Sequence, residues 1–308
     1  MRRLFTLLFC VTLCLQFFGQ STESGGEMKF RVMTYNIHHG EGTDQVLDLD
    51  RQAEVINNAQ PYVIGLQEVD SCVKRTNRIH QARVLANKTG MHATFGGAIP
   101  LTGGKYGVAI LSKEQPLSYR NIPLPGVEKR TLLVCEFNAF VFATTHLDLT
   151  DSCRMLSLPI ILEEAQRWDK PFFICGDWND VPTSNIITKM KQANFRMLSY
   201  VTNASRYYTF PAGTPNKIID YIACYGEGYK SRSGAKVLNE SVASDHRPVQ
   251  VDVTIDLPTG ILSPATSCEF VEDDAFYDLS GRKWQSASGR LTLPKGVYIN
   301  KGKKYVKP

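Results

Sequence analysis

Phe172-Phe173-Ile174-Cys175-Gly176-Asp177-Trp178-Asn179 sets four apolar residues directly before a glycine, an acid and an amide. The apolar run is too continuous for a half-exposed strand and fits one covered on both faces. If the strand continues, Asp177 and Asn179 lie two apart on one face. An anionic acceptor beside a neutral amide can orient a water and hold a phosphate or a metal. An Asx-rich turn is the plainer use of the same residues. A buried strand that breaks into polar groups at a sheet edge is also how α/β proteins assemble ligand sites.

The same break recurs on either side. Apolar runs end at Tyr35-Asn36, Gln67-Glu68, Thr145-His146 and Ile219-Asp220, and Ser244-Asp245-His246 opens another. Glu68 follows Val63-Ile64-Gly65-Leu66-Gln67, so a carboxylate stands at the end of a buried strand. Oxygen donors of that kind suit Mg²⁺, with Mn²⁺ or Ca²⁺ as alternatives, whereas zinc would want more His or Cys at close spacing. Asp220 sits inside Ile218-Ile219-Asp220-Tyr221-Ile222, where an unpaired carboxylate is costly. His246 is its natural partner, because Asp fixes the imidazole tautomer and stabilises its protonated form.

Strands are expected at 30–35, 62–66, 106–111, 172–175, 218–224 and 248–255, with a hairpin from 132–137 to 139–145 about Asn138. Helices are expected at 50–60, at 81–89 closed by Gly90, and at 154–168 with Pro159 inside. This mixture predicts a layered α/β or α+β domain. Past Pro258 the sequence turns to short alternating stretches and turn residues, so residues 259–308 read as a small β-rich appendage.

At 308 residues and 43% hydrophobic content the chain holds a substantial core. Arg2 and Arg3 followed by an apolar stretch to Phe18 predict a signal peptide over residues 1–20, then a linker over 21–28 and the main domain over 29–257. The stretch is short for a bilayer span, so the expectation is an exported, periplasmic, cell-surface or secreted protein without a stable membrane anchor, and a monomer. Of the 35 basic and 30 acidic residues, Arg2, Arg3 and eight basic with five acidic groups in 258–308 leave 25 of each between 21 and 257. A neutral domain argues against a nuclease that grips long DNA through a basic stripe. Six cysteines follow the signal. Cys135, Cys175 and Cys224 read as core thiols, while Cys72 and Cys153, each shortly after a polar strand end, are expected to pair as a disulfide.

Taken singly, each polar break has an ordinary explanation; six in order along one domain do not. The set Tyr35-Asn36-Ile37, Leu66-Gln67-Glu68-Val69-Asp70, Thr145-His146-Leu147-Asp148, Gly176-Asp177-Trp178-Asn179, Ile219-Asp220-Tyr221 and Ser244-Asp245-His246-Arg247-Pro248 resembles the ordered motifs of the endonuclease/exonuclease/phosphatase superfamily. The resemblance covers about residues 29–256. It implies a four-layer sandwich of two mixed β-sheets flanked by helices, and divalent-metal-dependent hydrolysis of a phosphoester. Glu68, with Asn36 and Asp245, would hold the metal. Asp177 and Asn179 would position the water and the phosphate, His146 would donate to phosphoryl oxygens, and the Asp220–His246 pair would act as base or clamp. Whether Asp177 or His246 takes the water's proton stays open at this level. Arg75, Arg78 and Arg130 are candidate substrate contacts. Val108 stands where many relatives place an amide. The substrates implied are lipid headgroups or small phosphates, with nucleic acid as the alternative and a catalytically inactive binding module as a remoter one. The tail is similar to short C-terminal segments that some exported proteins use in sorting.

Overall fold

The computed structural model describes residues 26–257 and, in the tail, the strands at 276–278, 283–284, 296–300 and 303–307. The expected signal peptide lies outside the described residues, and no described helix is long and apolar enough to cross a membrane. The chain divides into two compact units at 261/262.

In the larger unit the elements run β1 (Glu27–Asn36), α1 (Leu49–Ala59), β2 (Val63–Ser71), α2 (Gln81–Thr89), β3 (His92–Leu101), β4 (Gly104–Ser112), β5 (Ser118–Leu124), β6 (Arg130–Glu136), β7 (Val141–His146), α3 (Asp151–Gln166), β8 (Phe172–Asp177), α4 (Asn185–Gln192), β9 (Arg196–Met197), β10 (Asp220–Tyr225), β11 (Tyr229–Val237) and β12 (Val249–Asp256). They form two six-stranded sheets, ordered β11-β12-β1-β2-β4-β3 and β5-β6-β7-β8-β10-β9. Both are mixed: β1 and β2 run parallel, as do β7 and β8, and the remaining pairs are antiparallel.

The layering follows from strand alternation. Val32 faces the opposite sheet, in a cluster with Val108, Leu133, Phe142, Phe173, Ile222 and Val251, whereas Met33 and Tyr35 face α1 and α2 with Ile56 and Leu85. In the second sheet Val134, Ala143 and Ile174 face α3 and α4 with Ile161 and Ile187. Three apolar seams between four layers give the sandwich expected from the sequence. A Cβ on Gly65 would overlap the Cys175 thiol and the Thr144 side chain of the opposite sheet, so only glycine fits.

Several details differ from the sequence reading. β1 begins at Glu27, inside the segment expected as linker, because Glu27 and Met28 pair with Asp256 and Ile255. α3 starts at Asp151, with Pro159 inside it. β3, β5, β9, β11 and α4 were not expected; β5 and β11 are half-exposed strands with broken apolar alternation. Cys72 and Cys153 are both free thiols, so the expected disulfide is absent; proximity in sequence to neighbouring strand ends did not bring the two sulfurs together. The smaller unit forms an antiparallel sheet ordered β14 (Lys283–Trp284), β13 (Phe276–Asp278), β15 (Gly296–Asn300), β16 (Lys303–Lys307).

Candidate active site

The parallel pairs β1–β2 and β7–β8 send four polar strand ends to one end of the sandwich. In the second sheet they share a register row: His146 pairs with Asp177, and Asp177 with Asp220 on antiparallel β10. In the first sheet Asn36 pairs with Gln67. Between Leu66 and Val69 the β2–β4 register slips, and Glu68 takes a left-handed φ of 57°. A bulge of this kind re-aims a side chain. Here buried Gln67 turns inward, donating from Nε2 to Thr144 Oγ1 of the other sheet (2.8 Å) and accepting from Thr34 Oγ1 (3.2 Å), while Glu68 is left half-buried at the rim.

Asp177 is the hub. Its Oδ2 accepts from Asn36 Nδ2 (3.1 Å) and faces Nε2 of both His146 and His246 at 3.5 Å; its Oδ1 accepts from the Asn179 backbone N–H (2.9 Å). Asn36 Nδ2 also donates to Glu68 Oε1 (3.0 Å), and its Oδ1 accepts from the His38 N–H (3.0 Å). His246 Nδ1 lies 2.9 Å from Asp220 Oδ2. Asp245 is half-buried next to this group. Ser244 places it, because Oγ donates to the Asn36 carbonyl (2.7 Å) and lies 3.4 Å from Asp245 Oδ1. Gln52 fixes the same corner by donating to the carbonyls of Ile37 (2.8 Å) and Ala243 (2.9 Å).

Burial sets the charge pattern. Asp177 and Asp220 are 1% and 2% exposed, His246 4% and His146 7%. Burial disfavours the charge on His246, but Asp220 and Asp177 outweigh it and raise its pKa, so the ring is an imidazolium between two carboxylates. Burial raises the Asp177 carboxyl against the pull of that imidazolium. Burial, then the charges of Arg130 and His246, hold His146 well below its usual value, so it is neutral. Its Nδ1 is buried without a partner.

The structure thus gathers Asn36, Glu68, His146, Asp177, Asn179, Asp220, Asp245 and His246. Asn179 has part of its capacity committed, since Nδ2 donates to the Leu147 carbonyl (2.9 Å); the Asx turn and the site residue coexist. The three arginines separate. Arg75 makes a two-pronged pair with fully buried Asp70 (2.8 and 3.0 Å) and lies over the Tyr106 ring. Arg130 is buried, paired with Glu128 (2.9 Å), and leaves Nε and Nη1 without a hydrogen-bond partner. Arg78 is exposed and forms no ion pair among the described residues. Val108 packs between the sheets, so that position offers no polar contact.

Sequence reasoning named Ser244 only as part of a motif, with no role of its own, and passed over the pair His38-His39. A 3-10 turn at His38–Gly40 folds both imidazoles toward Glu68, with positive φ at each. Burial, Arg75 and His38 hold His39 below its ordinary pKa. The adjacent histidines after Asn36 were the available signal; the turn that brings them back was not.

Residues 33–246 match the sequence profile of the Endonuclease/Exonuclease/phosphatase family. No curated protein matches the chain in sequence. Among solved structures, an endonuclease/exonuclease/phosphatase from Beutenbergia cavernae DSM 12333 is 22% identical with a TM-score of 0.57, covering 74% of this chain and 72% of that one. One from Bacteroides vulgatus is 19% identical with a TM-score of 0.60, covering 74% and 100%. The mannosyl-6-phosphatase of Bacteroides thetaiotaomicron VPI-5482 is 18% identical with a TM-score of 0.59, covering 73% and 99%. At these identities the likeness is one of fold.

Proposed function

Since the chain belongs to the endonuclease/exonuclease/phosphatase family, whose members hydrolyse phosphoester bonds and generally use divalent metals, we propose that it is a metal-dependent phosphatase or phosphodiesterase acting on small phosphates or lipid headgroups. The observation that carries this reading is the convergence on Asp177 of Asn36, His146 and His246 from both sheets.

The donor set fits a hard divalent cation. Glu68 and Asp245 offer carboxylates and Asn36 an amide oxygen, the donors Mg²⁺ prefers, with Mn²⁺ or Ca²⁺ as alternatives. The second lone pair of Asn36 Oδ1 is open, because that oxygen accepts only from the His38 N–H. When bound, the ion would polarise a phosphoryl oxygen and offset the charge of the phosphate. The other tasks fall to this chain's own residues. Both ring nitrogens of His246 face carboxylates, so the ring is held as a donor toward a phosphoryl oxygen and Asp177 is left to accept the water's proton. Asn179 fixes the Asp177 carboxylate through its backbone N–H. His146 is neutral and adds a hydrogen bond where negative charge develops.

Small substrates are favoured over a long duplex by the charge balance, 25 basic against 25 acidic residues over 21–257, and by the likeness in fold to a mannosyl-6-phosphatase. The signal peptide expected over residues 1–20 would put this activity outside the cytoplasm, which is part of the proposal. The test is Mg²⁺-dependent hydrolysis read by the product each substrate gives, with Glu68→Gln as the control: inorganic phosphate from hexose 6-phosphates, phosphocholine from phosphocholine esters, and nicked or linear product from plasmid DNA. Cleavage of DNA alone, falling steeply with salt, would replace this reading with the nuclease.

A further inference from the structure

The turn after β1 carries two imidazoles for which the catalytic scheme has no use. His38 Nδ1 lies 3.2 Å from the Glu41 carbonyl oxygen. A carbonyl only accepts, so Nδ1 carries a proton, and in the neutral ring that leaves the lone pair on Nε2. His39 is 13% exposed at its side chain, with Nε2 3.7 Å from the Glu41 carboxylate and Nδ1 buried without a partner. Each ring therefore has one nitrogen turned toward Glu41 and one free. Glu68 Oε1 is engaged by Asn36, and no hydrogen bond reaches Oε2 among the described residues. One ligand atom each from His38, His39 and Glu68 lies within 4.8 Å of the others.

The arrangement is built into the fold. His38 and His39 have φ of 45° and 43°, a region that L-residues seldom occupy. Buried Gln81 holds the turn there. Its Nε2 donates to the His39 carbonyl at 2.6 Å, while its Oε1 accepts from the Asp70 N–H at 2.8 Å and so ties the turn to the end of β2. Such outer partners fix the orientation of metal-binding histidines. The guanidinium of Arg75 lies close by, but its charge is met by the two-pronged pair with Asp70.

We propose that His38, His39 and Glu68 form a second divalent-cation subsite beside Asn36, selective for imidazole-binding transition ions, Zn²⁺ foremost, over Mg²⁺. Two histidines and one carboxylate are a ligand set for such ions, and nitrogen donors discriminate against Mg²⁺ and Ca²⁺. The inference rests on the reading of the site as metal-binding only in sharing Glu68.

Cobalt is the probe, because its visible absorption reports nitrogen ligation directly. Full-length protein stripped with chelator is titrated with Co²⁺, and separately with Mg²⁺ by calorimetry, alongside His38→Asn and His39→Asn. Asparagine tolerates the positive φ, and far-UV circular dichroism of the stripped proteins checks the fold. The expected result is a visible cobalt band in the wild type and at least about a tenfold loss of Co²⁺ affinity in each variant, with Mg²⁺ affinity kept within about twofold. Two outcomes overturn the proposal: Co²⁺ affinity unchanged in both variants, or a parallel loss of Mg²⁺ affinity, which would mean one shared ion. Neither titration measures turnover, so failure of the wild type to hydrolyse any of the phosphoester substrates would defeat the proposed function while leaving this result to stand by itself.

Discussion

Asp220 Oδ2 lies 2.9 Å from His246 Nδ1, although 26 residues separate them. Asp220 opens β10 and His246 precedes β12, so the pair joins the start of an inner strand of one sheet to a loop of the other. With Asp177 3.5 Å from Nε2, the imidazole is held in orientation and in charge from both sides. Asp220→Asn removes one of the two carboxylates that keep the ring protonated. We expect kcat to fall about 10²- to 10⁴-fold with the circular dichroism spectrum retained; a kcat within tenfold of wild type would show that the pair has no part in turnover.

Glu68 is the strand-end carboxylate nearest Asn36. Glu68→Gln keeps the shape and removes the charge, so Mg²⁺ affinity measured by calorimetry should drop at least about tenfold. Chelator should abolish turnover of the wild type, and added Mg²⁺ should restore it. Turnover that persists in excess chelator would refute metal dependence.

Gly65 of β2 faces Cys175 and Thr144 of the opposite sheet. In Gly65→Ala the new methyl must displace the Cys175 thiol or Thr144. Overpacking of this kind costs about 1–3 kcal/mol. Urea denaturation should give a lower midpoint at an unchanged slope, and an unshifted midpoint would count against so tight an approach.

The two rim arginines should part company. Arg75→Ala strands the fully buried carboxylate of Asp70, so it should destabilise the fold by more than 1 kcal/mol, roughly, whereas exposed Arg78→Ala should stay within about 0.5 kcal/mol. A double variant with Asp70→Asn should recover part of the Arg75→Ala loss. Equal stabilities for the two single variants would show that the pair contributes nothing.

Burial pushes the Cys135 and Cys175 thiols up to about 12 and leaves them protonated, and Cys224 is raised too. Among the described cysteines, a thiol reagent on native protein at neutral pH should modify exposed Cys72 first and leave these three unlabelled. A mass spectrum of the unreduced protein showing Cys72 linked to Cys153 would contradict the free thiols.

What could be read from the sequence follows from how the core is built. A strand covered on both faces is apolar until it leaves the core, so Cys175-Gly176-Asp177 and Thr145-His146 announce where β8 and β7 meet the site. Partnership is harder to read. Nothing local in Leu66-Gln67-Glu68 requires the bulge that splits an inward amide from a rim carboxylate, since that depends on pairing with β4. Arg75 looked like a free cation because its partner Asp70 lies at the end of an apolar strand, where its burial is invisible in sequence. β5 and β11 escaped notice because one-sided cover leaves no long apolar run.

The bond from Gln67 to Thr144 and the contact of Asn36 with Asp177 both cross from one sheet to the other. The proposed metal-binding carboxylate belongs to one sheet and the proton-handling residues mainly to the other, so neither half is a catalyst by itself. On the proposed function, hydrolysis would then serve as a gauge of how firmly the two halves are docked. Under mild denaturant the turnover rate should decline while each sheet keeps its own hydrogen bonds, before the circular dichroism signal moves. For an engineer, the proposed function would make the seam between the sheets the place to alter the rate and the loops around the rim the place to alter the choice of substrate.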